Sequence, residues 1–134
     1  MIGSVHALPP NVLACLERSA ESLREAIVAD EVPDRYACAH VAALRAASAL
    51  IAARARPGRP GRRQLNAWVL LCQVAPELEE WASLFAAGAS KRAAVEAGSS
   101  RAVSAREADD LVREADRFLA VVERALGLLP HGPH

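Results

Sequence analysis

Aromatic residues are scarce, five in 134, or 4% of the chain. The sequence therefore lacks the interleaved rings on which most single-strand nucleic-acid binders stack bases. Lysine occurs once, at Lys91, and arginine supplies the other 15 of the 16 basic residues. With 16 acidic residues the formal net charge is zero, which excludes a generic, strongly basic nucleic-acid binder and makes any basic site a local one. Cys15, Cys38 and Cys72 form no CxxC pair, which argues against a zinc or dithiol centre. Each sits in an apolar helical pattern and is expected as a buried, reduced thiol. Long apolar runs are missing too. The uncharged stretch 64–76 has 13 residues, too few to span a bilayer. The N-terminus has neither the charged nor the apolar region of a signal peptide. A cytoplasmic protein without a membrane partner, metal or cofactor is the expectation.

What the chain does have is small apolar side chains at helical spacing. Hydrophobic residues make up 52% and charged residues 24%, too apolar for a disordered chain. Alanine dominates, with the best intrinsic helix propensity and a size that lets helices approach closely. At this length one domain is expected. Its fold is read as all-α, an up-and-down bundle of four long helices, the third split by Pro76 to give five if the proline breaks it. The boundaries are a loose lead over 1–10, the bundle over 11–128, a flexible arginine-rich loop over 57–63 inside it, and a frayed tail over 129–134.

The first helix is expected from an Asn11 N-cap to about Ala29, with Val12, Leu16, Leu23 and Ile27 on its apolar stripe. A short connection through Asp30 and Glu31 makes the first two helices an antiparallel hairpin. The second helix, 33–56, begins on Pro33, where a missing donor costs nothing. Tyr36, His40, Ala43, Leu44, Ala47, Leu50 and Ile51 follow one face of it. Two prolines and two glycines break the chain at 57–63. Arg59, Arg62 and Arg63 there are read as a solvated connector or an anion-seeking cluster.

The third region starts near Gln64 or Asn66. It carries Trp68, Leu71, Trp81 and Phe85 inward, with Glu77, Glu79 and Glu80 favoured by the dipole of the turn that restarts at Pro76. Lys91 and Arg92 are read as helix C-terminal dipole partners or as phosphate contacts. Gly98 is placed as a helix-ending C′ residue. Ser104 and Glu107 match a capping box that opens the last helix, with Ala108, Leu111, Ala115, Leu119, Val122 and Leu126 inward and Val112 and Phe118 widening that face. His131 and His134 are read as tail residues.

The stretch Pro33-Asp-Arg-Tyr-Ala-Cys-Ala-His-Val-Ala-Ala-Leu-Arg-Ala-Ala resembles the early helix of HEPN domains, the "higher eukaryotes and prokaryotes nucleotide-binding" helical bundles. Asn66-Ala-Trp-Val-Leu-Leu, Pro76-Glu-Leu-Glu-Glu-Trp-Ala, Lys91-Arg-Ala-Ala and Ser104-Ala-Arg-Glu-Ala-Asp-Asp-Leu resemble an actinobacterial branch of that superfamily. The resemblance covers roughly residues 12–126. It implies a bundle of four or five helices, often a homodimer. Some members are metal-independent ribonucleases with an arginine, four to six residues, and a histidine, and Arg35 and His40 satisfy that spacing. In such a pair His40 would be the general base on an RNA 2′-hydroxyl and Arg35 would stabilise charge on the phosphate.

In active members the motif commonly lies in a later helix, with a polar residue after the arginine. Here it lies in the second helix and is followed by Tyr36. Residues five apart on a helix also differ by about 140° in direction, so Arg35 and His40 do not share a face, whereas Tyr36 and His40 do. The preferred reading is a non-catalytic HEPN-like bundle, an interaction or regulatory module. Its partner would be a second copy, another protein, or a nucleotide or RNA held through Tyr36, Arg59, Arg62, Arg63, Lys91 and Arg92. The alternative is the ribonuclease built on Arg35 and His40.

Overall fold

Helix α1 (Pro10–Val28) opens on Pro9 as its N-cap, with no side-chain cap. Pro10 occupies the first turn, where its fixed φ is already helical, so Asn11 lies inside the helix rather than capping it. The computed structural model describes residues 8–55, 66–99 and 101–132. Val12, Leu16, Ser19, Leu23 and Ala26 of α1 are buried. That spacing rotates Ile27 off the core face, and Ile27 is 44% exposed. Ser19 is tolerated inside because its hydroxyl donates to the Ala42 carbonyl at 2.7 Å. Ser22 is tolerated because it accepts from Arg45 at 3.0 Å.

Helix α2 (Val32–Arg54) is the axis of the bundle and touches α1, α3, α5 and α6. Ala39, Ala42, Ala43, Ala46, Ala47 and Ala49 are all essentially buried. With only methyl groups at these positions, neighbouring helices can approach α2 on several sides at once. α1 and α2 pack along their lengths as the expected hairpin.

The third expected rod is divided twice. Asn66 caps α3 (Ala67–Val74), its side chain accepting from the Val69 N–H at 2.9 Å. Pro76 ends the helical ladder, and a 3₁₀ turn (Pro76–Leu78) leads into α4 (Glu79–Ala87). A second break falls at Gly88, after which α5 (Ala89–Glu96) starts. α5 buries none of its residues fully. It ends in a Schellman motif. Gly98, at φ +100°, donates to the Val95 carbonyl at 3.0 Å, and Ser99 donates to the Ala94 carbonyl at 3.0 Å.

The capping box is present at the start of α6 (Ala105–Ala125). Ser104 Oγ accepts from the Glu107 N–H at 3.1 Å and Glu107 Oε1 accepts from the Ser104 N–H at 2.9 Å. Ala108, Ala115, Phe118, Leu119 and Val122 turn inward from α6.

The few aromatics converge where α2, α3, α4 and α6 meet. Trp68 stacks on Phe85 with ring centroids 5.1 Å apart, Phe85 meets Phe118 at 5.1 Å, and Trp81 meets Phe118 at 5.5 Å. Phe85 and Phe118 are fully buried, each contributing about 1.5–3 kcal/mol by removal from water. Cys15, Cys38 and Cys72 are free thiols, but partly rather than fully buried. Burial, with the charges of Glu25 and Asp34, pushes the Cys38 thiol up, so it stays protonated and unreactive. Past α6 the chain is described to Gly132. There His131 returns onto the helix, its ring 2.7 Å from Glu123 Oε1 and 2.6 Å from Asp116 Oδ1.

Candidate functional site

Tyr36 and His40, one turn apart on α2, share a face as their spacing requires. That face forms one wall of a cleft of about 360 Å³. The end of α4 supplies Leu84, Phe85 and Ala87, Gly88 lies at the junction, and α5 supplies Lys91. The opposite wall is α6, through Glu107, Asp110, Leu111 and Glu114. Gly88 lets the cleft walls approach. A Cβ placed there would stand 2.9 Å from the Tyr36 hydroxyl oxygen.

His40 is 1% exposed, with Trp68 and Phe85 edge-on around it at 6.1 and 6.4 Å. Its Nε2 lies 3.3 Å from the Phe85 carbonyl oxygen. That oxygen can only accept, so Nε2 carries the proton and donates, leaving Nδ1 with a lone pair. Nδ1 is buried and has no partner. Burial lowers the ring's pKa below its ordinary 6.5, the Phe85 carbonyl acts in the opposite direction, and the charge of Arg92 lowers it again. At neutral pH His40 is an uncharged ring with one nitrogen engaged and the other enclosed.

Arg35 is turned away from this cleft. Its guanidinium donates to Asp109 Oδ1 at 2.7 Å and to the Ala29 carbonyl at 3.2 Å. It lines a different depression, with Ile27, Val112 and Arg113. The arginine and histidine that match a ribonuclease spacing in the text thus serve two different surfaces.

Lys91 and Arg92 lie in the first turn of α5, because Gly88 restarts the helix just before them. Neither stands at a helix C-terminus, so the dipole reading is replaced by ion pairs. Lys91 pairs with Glu107, the same carboxylate that closes the capping box. Arg92 pairs with Glu96 at 3.0 Å. Arg59, Arg62 and Arg63 lie outside the described residues.

The structure therefore brings Tyr36, His40 and Lys91 together and leaves Arg35 apart. The acidic wall was not foreseen. Glu107, Asp110 and Glu114, spaced three and four apart, are one helical face of α6, and that spacing was the available signal.

An all-α bundle centred on an alanine-rich second helix is the architecture that a HEPN-type domain requires. The model of the SAV_6107-like HEPN family matches residues 26–123, and the chain belongs to that family. No curated protein and no solved structure matches the chain.

Proposed function

We propose that this chain is a non-catalytic HEPN-type bundle, an interaction or regulatory module that works through the cleft between α2, α4, α5 and α6. The observation that carries this reading is the separation of Arg35 from His40. Arg35 is committed to Asp109 and the Ala29 carbonyl. His40 offers no exposed nitrogen to a substrate hydroxyl, since Nε2 faces Phe85 and Nδ1 is enclosed. A general base must come within hydrogen-bond reach of the proton it removes. Neither nitrogen meets that condition, and no phosphate could touch both residues in the arrangement described.

The carboxylates of the cleft also disfavour a nucleotide phosphate there. Lys91 is matched by Glu107, and Asp110 and Glu114 add negative charge beside it. Nucleotide or RNA binding, within this reading, falls to Arg59, Arg62 and Arg63. Self-association is part of the proposal. Ile27 and Val28 expose apolar surface, Val28 at 75%, and Ile27 shares a depression with Val112. A cytoplasmic setting belongs to the same proposal, and α2 does not oppose it. It is the one helix among the described residues long and apolar enough to cross a bilayer, yet half of that apolar window is buried inside the bundle.

The test is RNA cleavage in the presence of a chelator. Purified protein is expected to leave mixed RNA intact, as are Arg35→Ala and His40→Ala. Cleavage by the wild type that disappears in either variant, with circular dichroism unchanged, would establish the ribonuclease instead.

A further inference from the structure

We infer that the segment after α6 is a proton-operated latch: His131 clips it back onto the helix by bridging Glu123 and Asp116, and it lets go when the ring loses its proton. The turn that sends the chain back is built at Gly127, whose φ of +81° suits a residue without a Cβ. Gly127 donates to the Arg124 carbonyl at 3.0 Å and Leu128 donates to the Glu123 carbonyl at 2.9 Å, which is a Schellman pair. The helix ends there, and the chain returns along its surface. Leu128 packs against the core, while Leu129 stands outside, 92% exposed. His131 then reaches two carboxylates that lie about two turns apart on α6.

This bridge fixes the protonation state of the ring. Nδ1 lies 2.7 Å from Glu123 Oε1 and Nε2 lies 2.6 Å from Asp116 Oδ1. The His131 main-chain N–H donates to the same Glu123 oxygen at 2.9 Å. Ionised carboxylates only accept, so both ring nitrogens donate, which an imidazolium alone can do. Burial disfavours that charge, but the hydrogen bonds and charges of Glu123 and Asp116 prevail and hold the ring's pKa above its ordinary 6.5. A neutral ring keeps one N–H. One of the two bridges must then break, with a lone pair left facing a carboxylate, and the other loses the strength that the charge gave it.

Glu123 and Asp116, both on α6, are the charged groups that act on the ring among the described residues. Asp116 also lines a recess with Val112 and Arg113 of α6 and the apolar Ile27 of α1. Arg113 there is engaged by Asp110. Opening the latch withdraws a cation from Asp116, so the recess assigned to self-association becomes more negative as the segment leaves. The latch itself rests on the contacts of His131 and does not depend on that assignment.

The experiment is NMR on the full chain, following the histidine rings and the leucine methyl groups from pH 5.5 to pH 9. The His131 ring should titrate above 6.5. The Leu128 methyls should pass from a packed to a solvated environment with the same midpoint, whereas those of Leu129, exposed throughout, should not move. Asp116→Asn should lower both midpoints together, and His131→Gln should abolish the Leu128 step, with circular dichroism confirming that each variant folds. A His131 titration that leaves Leu128 in place would reduce the contact to a surface ion pair and overturn the latch. A midpoint at or below 6.5, or one unmoved in both Asp116→Asn and Glu123→Gln, would overturn it too. Any of these results would leave the non-catalytic reading intact, which only chelator-resistant RNA cleavage removes.

Discussion

Gly88→Ala offers a sharp probe of the cleft, because its effect should change sign with the residue at position 36. Gly88 has φ −87° and ψ 0°, a conformation that alanine adopts without strain. Replacing glycine by alanine at such a site stabilises by about 0.4–1 kcal/mol, chiefly by restricting the unfolded chain. Against this stands the Tyr36 hydroxyl, 2.9 Å from the new methyl position. Tyr36 is 5% exposed and packs with Val103 and Ala108, so its ring has little room to retreat. Forcing an atom into packed space costs about 1–3 kcal/mol, and the net expectation is destabilisation by roughly 0.5–2 kcal/mol. Tyr36→Phe removes the clashing oxygen. The next neighbours are the Phe85 carbonyl oxygen at 3.6 Å and His40 Cδ2 at 4.0 Å, both ordinary contacts. On that background Gly88→Ala should stabilise. Urea denaturation of the four proteins gives the coupling, expected at about 1–3 kcal/mol. If Gly88→Ala stabilised both backgrounds equally, Tyr36 would be free to swing aside and the cleft wall would not be fixed as described.

Two further perturbations separate residues that composition alone treats alike. Trp68→Ala should destabilise by about 3–5 kcal/mol, since Trp68 is 6% exposed and stacked on Phe85. Trp81, only partly buried, should lose distinctly less, and equal shifts in denaturant midpoint would contradict the packing. The two described histidines of known environment should respond to pH in opposite senses. His40 is held below its ordinary 6.5 chiefly by burial, so its contribution is complete above that pH and declines as pH falls below it. For His131, burial works against the charge, but the hydrogen bonds and charges of Glu123 and Asp116 prevail and raise the pKa. Its contribution is therefore complete below pH 6.5 and is lost as pH rises through the higher folded value. The stability gap between wild type and His131→Ala should narrow from pH 5.5 toward pH 8, and that between wild type and His40→Leu should move the other way. Gaps independent of pH would remove both assignments.

Signals that act within a few residues were legible in the sequence. Ser104 and Glu107 cap α6 with their own side chains, Gly98 closes α5 through its own positive φ, and Pro76 lacks the donor that would continue α3. Each is a property of one turn. What escaped depends on helix phase or on distant partners. Asn11 has the side chain of a cap, but Pro9 holds the N-cap position and Pro10 opens the first turn. Ile27 belongs to the apolar stripe when counted from Leu23, but the buried series through Ser19 and Ala26 rotates it outward. Nothing local marks Ser19 as buried, because the carbonyl that satisfies it belongs to Ala42, in another helix. Gly88 reads as a site of close packing or of a bend, and only the fold shows that the group it must clear is the Tyr36 hydroxyl.

The site divides along the same line. That Tyr36 and His40 face together while Arg35 faces elsewhere follows from the pitch of a single helix, and it is visible in the text before any packing is known. The acidic character of the cleft is not local in this sense. It arises because α6 lies across α2, setting Glu107, Asp110 and Glu114 opposite residues some seventy positions earlier in the chain. The net charge of zero concealed this, since a balanced total says nothing about how the two signs are sorted onto faces. A motif search for Arg35 and His40 looks for a phosphate site. The wall that the fold places opposite His40 carries the wrong sign for one, and for that reason the cleft's chemistry has to be argued from α6 as much as from α2.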